Sequence, residues 1–173
     1  MWSVLSTVER PSSVVQDDVM TPITYRPVTL ERAGELLTLQ RAAFVSEARA
    51  YGTVAIPPLV ESLDDLRREI ETTTTIGAYL GERLVGAARL TLDGETGWIS
   101  RVAVAPDQQG AGIGSGLLEA VEAAAPAEVT RFRLGAGHKS SANIAMYERR
   151  GYQELSRSID TAGIELVIMG KDR

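Results

Sequence analysis

The 173-residue chain contains no cysteine, which excludes disulfides, thiolate metal sites and any covalent cysteine intermediate. It has one histidine, His138, so a metal site built from several histidines is excluded too and no metal is expected. No apolar run approaches the roughly 20 residues that a membrane span requires. Positive charge is not in surplus: 18 basic side chains face 23 acidic ones, a formal net charge of -5. That balance gives no general attraction for nucleic acid or anionic membranes and leaves at most a weak pull on cationic substrates. The opening MWSVLSTVERPSSVVQDDV has neither a basic lead nor a long apolar core. It does not read as a secretory signal, and a cytoplasmic protein is expected.

What is present suits one globular domain. The length fits a single unit, and a chain of this size buries roughly 70% of its unfolded surface without staples. Residues 1–19 show no clean period and read as a tail or an extra edge element, with the domain proper at 20–173. Ile23–Val28 reads as a strand and Leu30–Phe44 as a helix with Leu36, Leu37, Leu39, Ala43 and Phe44 on its apolar side. Gly52, Pro57 and Pro58 mark 47–61 as a loop, after which Ser62 and Asp65 form a capping pair that starts a helix to Glu71. Strands follow at Ile76–Leu80, Leu84–Leu92 and Trp98–Val104, the last two joined at Asp93-Gly94. Ile113–Ala125 reads as a helix, Val129–Leu134 as a strand and Ala142–Arg150 as a helix stopped by Gly151. A hairpin of Tyr152–Ser158 and Ile164–Met169 ends the chain. The order β-α-α-β-β-β-α-β-α-β-β describes an α+β fold: a mixed, mostly antiparallel sheet of about seven strands with four helices.

The most informative window runs from Val102 to Leu118, where a strand ends at Pro106 and glycines open a helix. Gly110, Gly112, Gly114 and Gly116 fall at every second position. Glycine inside a helix costs up to about 1 kcal/mol relative to alanine, so their presence needs a cause. Close approach is one: without Cβ atoms, main-chain N–H groups at a helix start can touch an anion such as pyrophosphate. The dinucleotide pattern G-x-G-x-x-G fails, because its third position falls on Ser115 or Leu117. The phosphate-loop pattern fails for want of a lysine. A turn whose glycines serve packing alone is the competing reading.

Gln109-Gly-Ala-Gly-Ile-Gly114 resembles the Gln/Arg-x-x-Gly-x-Gly/Ala signature of the GNAT superfamily of N-acetyltransferases. Arg101-Val-Ala-Val-Ala-Pro106 resembles the strand leading into it, and Asn143-Ile-Ala-Met-Tyr-Glu-Arg-Arg-Gly-Tyr152 the helix and strand start that follow. The element order matches from Ile23 onward. The resemblance implies an enzyme that binds acetyl-CoA and moves its acetyl group directly onto a primary amine of a small molecule or peptide, in a ternary complex. A GNAT-like module that only senses acyl-CoA is the alternative, and a homodimer is compatible with the family.

Carried over residue by residue, Gln109, Gly110, Ala111, Gly112, Ile113, Gly114 and Ser115 would cradle the pyrophosphate. The pantetheine arm would add beside the strand at Val102, Ala103 and Val104, in the manner of strand addition. A main-chain amide there could face the thioester oxygen, a donor typically worth about 3 kcal/mol. Tyr147 occupies the family's general-acid position; a phenol near pKa 10 suits a departing thiolate whose thiol has pKa about 8.5. Its other reading is a core tyrosine, since Ile144 lies at helical spacing. Where many members have asparagine seven residues before that tyrosine, this chain has Ser140, with Asn143 nearer. Both are expected to contact the cofactor, or Ser140 to cap the helix. The strand carries Trp98-Ile-Ser-Arg101 in place of the glutamate that some members use as base. His138 is the expected base, with Glu47 or ordered water as the other candidates. The acceptor would meet the 47–61 loop with Tyr51, Pro57 and Pro58, Arg89, and the turn at 160–163.

Overall fold

The computed structural model describes residues 22–173; the expected tail at 1–19 lies outside the described residues. Seven strands form one sheet in the order β1-β2-β3-β4-β5-β7-β6. They are β1 (Ile23–Pro27), β2 (Thr74–Leu80), β3 (Arg83–Asp93), β4 (Thr96–Val104), β5 (Arg131–Gly137), β6 (Gln153–Ile159) and β7 (Glu165–Asp172). Only β4 and β5 run parallel among the paired strands described. The helices are α1 (Ala33–Tyr51), α2 (Pro57–Val60), α3 (Leu63–Thr72), α4 (Ile113–Ala123) and α5 (Ser141–Arg149).

The mixed sheet is as expected, but the helices differ in two places. α1 does not stop at Phe44; it continues to Tyr51 and is closed by Gly52 at φ 69, whose amide reaches the carbonyls of Ala48 and Arg49. Ala48 is buried against Ile56 and Ile164, so packing carries the helix through 47–51. The expected loop then holds a fifth, one-turn helix, α2. Pro57 and Pro58 sit in its first turn, where no intrahelical N–H is needed and φ is already helical. α3 begins as the Ser62–Asp65 pair predicts, the Ser62 hydroxyl accepting from the Asp65 amide at 3.1 Å.

β5 starts two residues later than the sequence suggests, because Val129 closes a turn on the Pro126 carbonyl at 3.1 Å. α4 packs across β2, β3 and β4, burying Ile113, Leu117, Leu118 and Val121. α1 packs across β3 and β4 with α2 and α3 against it, so β3 and β4 form the centre of the core. Those two strands also position the site. β4 points its C-terminal end at the glycine turn, and β5 returns beside it after α4.

Candidate active site

β4 and β5 are paired from Thr96 with Arg131 to Ile99 with Leu134, and there the pairing ends. Beyond it, Ser100–Val104 and Gly135–Gly137 part. The gap opens into a cavity of about 300 Å³ whose walls include Val102, Ser140, Asn143 and Tyr147. Phe44 and Glu47 of α1 and Asp160 of the last turn close it from the other sides.

A bulge shapes β4 at this point. Ala87 faces Ala103 and Arg89 faces Ser100, so Arg101 and Val102 together stand opposite Ala88. Arg101 takes φ 54, the one positive φ of a non-glycine residue among those described. A side chain held in the left-handed region costs about 1–2 kcal/mol, a strain that tends to occur where geometry serves a site.

The four alternating glycines divide into two pairs. Gly110 and Gly112 have φ 83 and 79, and a Cβ on either would meet nothing within 4 Å. Gly112 is the N-cap of α4 and no side chain bonds back to that turn, so the first amides of α4 face outward unused. Gly114 and Gly116 serve packing: a Cβ at Gly114 would stand 3.0 Å from Met146 Sδ of α5, and one at Gly116 would collide with the Tyr25 hydroxyl. The packing reading of the glycines therefore applies to Gly114 and Gly116, while Gly110 and Gly112 answer a conformational demand and leave open space above the turn. Open glycine amides at an uncapped helix N-terminus fit a diphosphate. The Gly114–Met146 contact sets this turn beside α5, the helix that carries Tyr147. Gln109 donates to the Val104 carbonyl at 3.2 Å and ties the turn to the end of β4. Arg83 and Asp107 brace its approach through two contacts of 2.7 and 2.8 Å, and the guanidinium holds the Asp107 carboxyl down to about 2.

The remaining sequence candidates fall into place unevenly. Val102 lines the cavity, whereas Ala103 is buried and paired with Ala87, and Val104 pairs with Gly86. Ile113 turns its side chain into the core, leaving only its main chain to the turn. Ser140 is the N-cap of α5, but its side chain makes no capping bond; like Asn143 it faces the cavity. Tyr147 is 5% exposed, and its ring meets Tyr152 edge-on at 6.1 Å. Burial, then the charge of Glu47, pushes its hydroxyl far above the ordinary phenol range. It stays a neutral donor throughout the physiological range.

His138 is not among the lining residues. Its Nδ1 lies 3.1 Å from the Glu165 carbonyl and its ring packs edge-on against Tyr51 at 5.4 Å. Glu47 does line the cavity. Its carboxyl is raised above the usual range by burial first and by the Asp160 charge second. Glycine at Gly137 makes room for it, since a Cβ there would come within 2.9 Å of Glu47 Oε1. Asp160 is held by accepting from the amides of Ala162 and Ile164 at 2.8 and 2.9 Å.

Arg89 is not among the residues that line the cavity; it is buried and paired with Glu61 at 3.2 Å. Arg101 takes its expected place instead. An arginine directly before the apolar run Val102–Val104 is the available signal for it. Among the described residues no helix is long and apolar enough to cross a membrane.

The family model for the acetyltransferase (GNAT) family matches residues 39–152. The uncharacterized N-acetyltransferase YjcF of Bacillus subtilis (strain 168) is 33% identical over 117 residues, covering 66% of this chain and 79% of that protein. Among solved structures, the PaiA N-acetyltransferase of Thermoplasma acidophilum in complex with coenzyme A superposes with TM-score 0.70 at 19% identity, over 88% of this chain and 99% of that one. An N-acetyltransferase of Staphylococcus aureus Mu50 gives TM-score 0.71 at 17% identity, over 87% and 98% of the two chains. These likenesses show a shared fold, and the family match extends through Tyr147 to Tyr152. The chain belongs to the acetyltransferase (GNAT) family, the enzyme class of N-acetyltransferases that use acetyl-CoA.

Proposed function

We propose that this enzyme transfers the acetyl group of acetyl-CoA directly to a primary amine of a small molecule or peptide, with no covalent enzyme intermediate. The observation that carries this reading is one cavity, in the gap between β4 and β5, holding a raised carboxyl, a buried phenol and bulge amides beside an uncapped helix N-terminus. Glu47 is assigned as the base. Its raised pKa brings it toward the range where a carboxylate can take a proton from an ammonium or an attacking amine. Asp160 adds negative potential that draws a cationic amine in. Tyr147 is assigned as the proton donor, its hydroxyl held neutral by burial and by the nearby Glu47 charge.

Acetyl-CoA, when bound, supplies the acyl group and a thiolate leaving group. The main-chain amides of 110–115 would hold its diphosphate. The unpaired edge of β4 near Val102 would hold the pantetheine arm, with a bulge amide as oxyanion donor. Ser140 and Asn143 are assigned as side contacts to that arm. The absence of cysteine from the sequence agrees with direct transfer.

The test is thiol release from acetyl-CoA across a panel of amines. Release that rises with the amine and is lost by about 10²- to 10⁴-fold in Tyr147→Phe supports the assignment. Release independent of every amine overturns it.

A further inference from the structure

Arg101 is held only loosely by the protein's own acids, its carboxylate partner being Glu61 at 3.8 Å. The bulge turns it toward the cavity, where its side chain is 25% exposed. The carboxylate within reach is Glu61, whose Oε2 lies 3.8 Å from Arg101 Nε, too far for a hydrogen bond. The oxygens of Glu61 are taken: Oε1 accepts from Arg89 at 3.2 Å, and Oε2 accepts from Gln40 at 2.7 Å and Arg89 at 3.5 Å. Glu69 pairs with Arg89 at 3.4 Å. Arg101 Nε is buried with no hydrogen-bond partner. Arg89 and Gln40 thus meet the hydrogen-bonding needs of Glu61, and the long ion pair at 3.8 Å leaves the hydrogen-bonding capacity of the Arg101 guanidinium unfilled. Guanidinium stays charged whatever its surroundings, and its planar fork matches a carboxylate.

The other end of the cavity has the opposite sign. Gln40, which touches Glu61, and Glu47, which faces Asp160, lie seven residues apart on α1, about 10 Å along its axis. The cavity thus has Arg101 on the β4 side and two carboxylates, Glu47 and Asp160, on the sides facing it from α1 and the last turn.

Resting on the acetyl-transfer reading, we infer that Arg101 binds a carboxylate of the acceptor, so that the acetylated amine belongs to an amino acid or peptide bearing a carboxylate group. Glu47 and Asp160 take the nitrogen while Arg101 takes the carboxylate, and that polarity orients the acceptor.

The experiment uses matched acceptors: L-phenylalanine, its amide and phenethylamine; L-lysine and cadaverine; leucyl-glycine and its amide. Thiol release is followed for wild type, Arg101→Gln and Arg101→Lys. In parallel, calorimetry measures binding of the corresponding N-acetyl acids and amides to the coenzyme A complex. The carboxylated members are expected to exceed their partners in kcat/KM by about 10- to 100-fold, the range for hydrogen bonds to a charged group. Arg101→Gln should erase that ratio by raising KM and should weaken N-acetyl acid binding by a similar factor. Arg101→Lys should keep part of both. If Arg101→Gln fails to fold, Arg101→Lys carries the test, because it keeps a counter-charge for Glu61 and loses the fork. Equal use of acids and amides by wild type overturns the inference, as does an unchanged ratio in the variants. Where no panel member is acetylated, N-acetyl acids that bind no better than their amides, or equally to wild type and Arg101→Lys, overturn it as well. Amine-independent thiol release defeats the acetyl-transfer reading itself, and the two failures are thereby distinct.

Discussion

Replacing Gly112 with alanine isolates the conformational demand of the turn. The residue sits at φ 79 and ψ 0, and an added Cβ would meet nothing within 4 Å. No clash confuses the result; the whole effect is left-handed strain, about 1–2 kcal/mol. In a domain of this size 1 kcal/mol moves Tm by about 2–4 °C, so the expected loss is about 2–8 °C. Gly114→Ala is the control. Its Cβ would stand 3.0 Å from the Met146 thioether, a flexible group that can give way, and alanine is the better helix former. Its Tm should hold or rise slightly. Scanning calorimetry without ligand measures both. A Gly112→Ala protein as stable as wild type, or a Gly114→Ala protein that loses more, would refute the division of the glycines into conformational and packing pairs.

Glu47→Gln should lower turnover at neutral pH and flatten the acidic limb of the rate profile; an unaltered profile removes the base assignment. The same change should raise Tm at pH 7. A carboxyl whose folded pKa is raised stabilises fully below its unfolded pKa and loses that contribution as pH rises through the folded value, so the gain should vanish near pH 4. Tyr147→Phe should leave coenzyme A affinity intact, since the ring and its contact with Tyr152 remain; a matching loss of affinity would make the tyrosine a binding residue. Arg83→Ala should return the Asp107 carboxyl from about 2 toward the ordinary 3.9, read by NMR titration. The pair's contribution is present above the ordinary carboxylate value and lost as pH falls through about 2, so a carboxyl that still titrates near 2 in the variant would mean that Arg83 is not its cause.

The sheet, the crossover and the glycine turn were legible because each rests on local chemistry. Asp93-Gly94 marks its hairpin, Ser62 caps its helix, and paired positive-φ glycines leave a visible spacing. The extent of α1 was not, because Gly52 looked like a loop residue until the packing of Ala48 on Ile56 and Ile164 showed it ending a helix. Glu47, Tyr147 and the turn at 160–163 were each legible as candidates, but their meeting was not. Glu47, Asp160 and Tyr147 lie on three elements far apart in sequence, and only the parting of β4 from β5 brings them to one cavity. His138 drew notice as the sole histidine, yet one register step turns it toward Glu165. Arg101 reaches the cavity because a bulge in β4 sets two residues opposite Ala88, and no spacing announces a bulge, while Arg89 of β3 is taken up by Glu61 and Glu69.

The separation of β4 and β5 has a consequence for how this protein avoids unwanted association. A strand with unpaired amides and carbonyls normally invites another chain to join it. Here that open stretch lies within the molecule, flanked by α1, α5 and the final turn, so a slender flexible guest can reach it while a neighbouring protein's strand cannot. The outer border, β6, is exposed along its whole length and carries Glu154 and Arg157 joined at 2.9 Å, charges that discourage edge-to-edge stacking. The inner seam thus offers open strand edge only to a guest that its width admits.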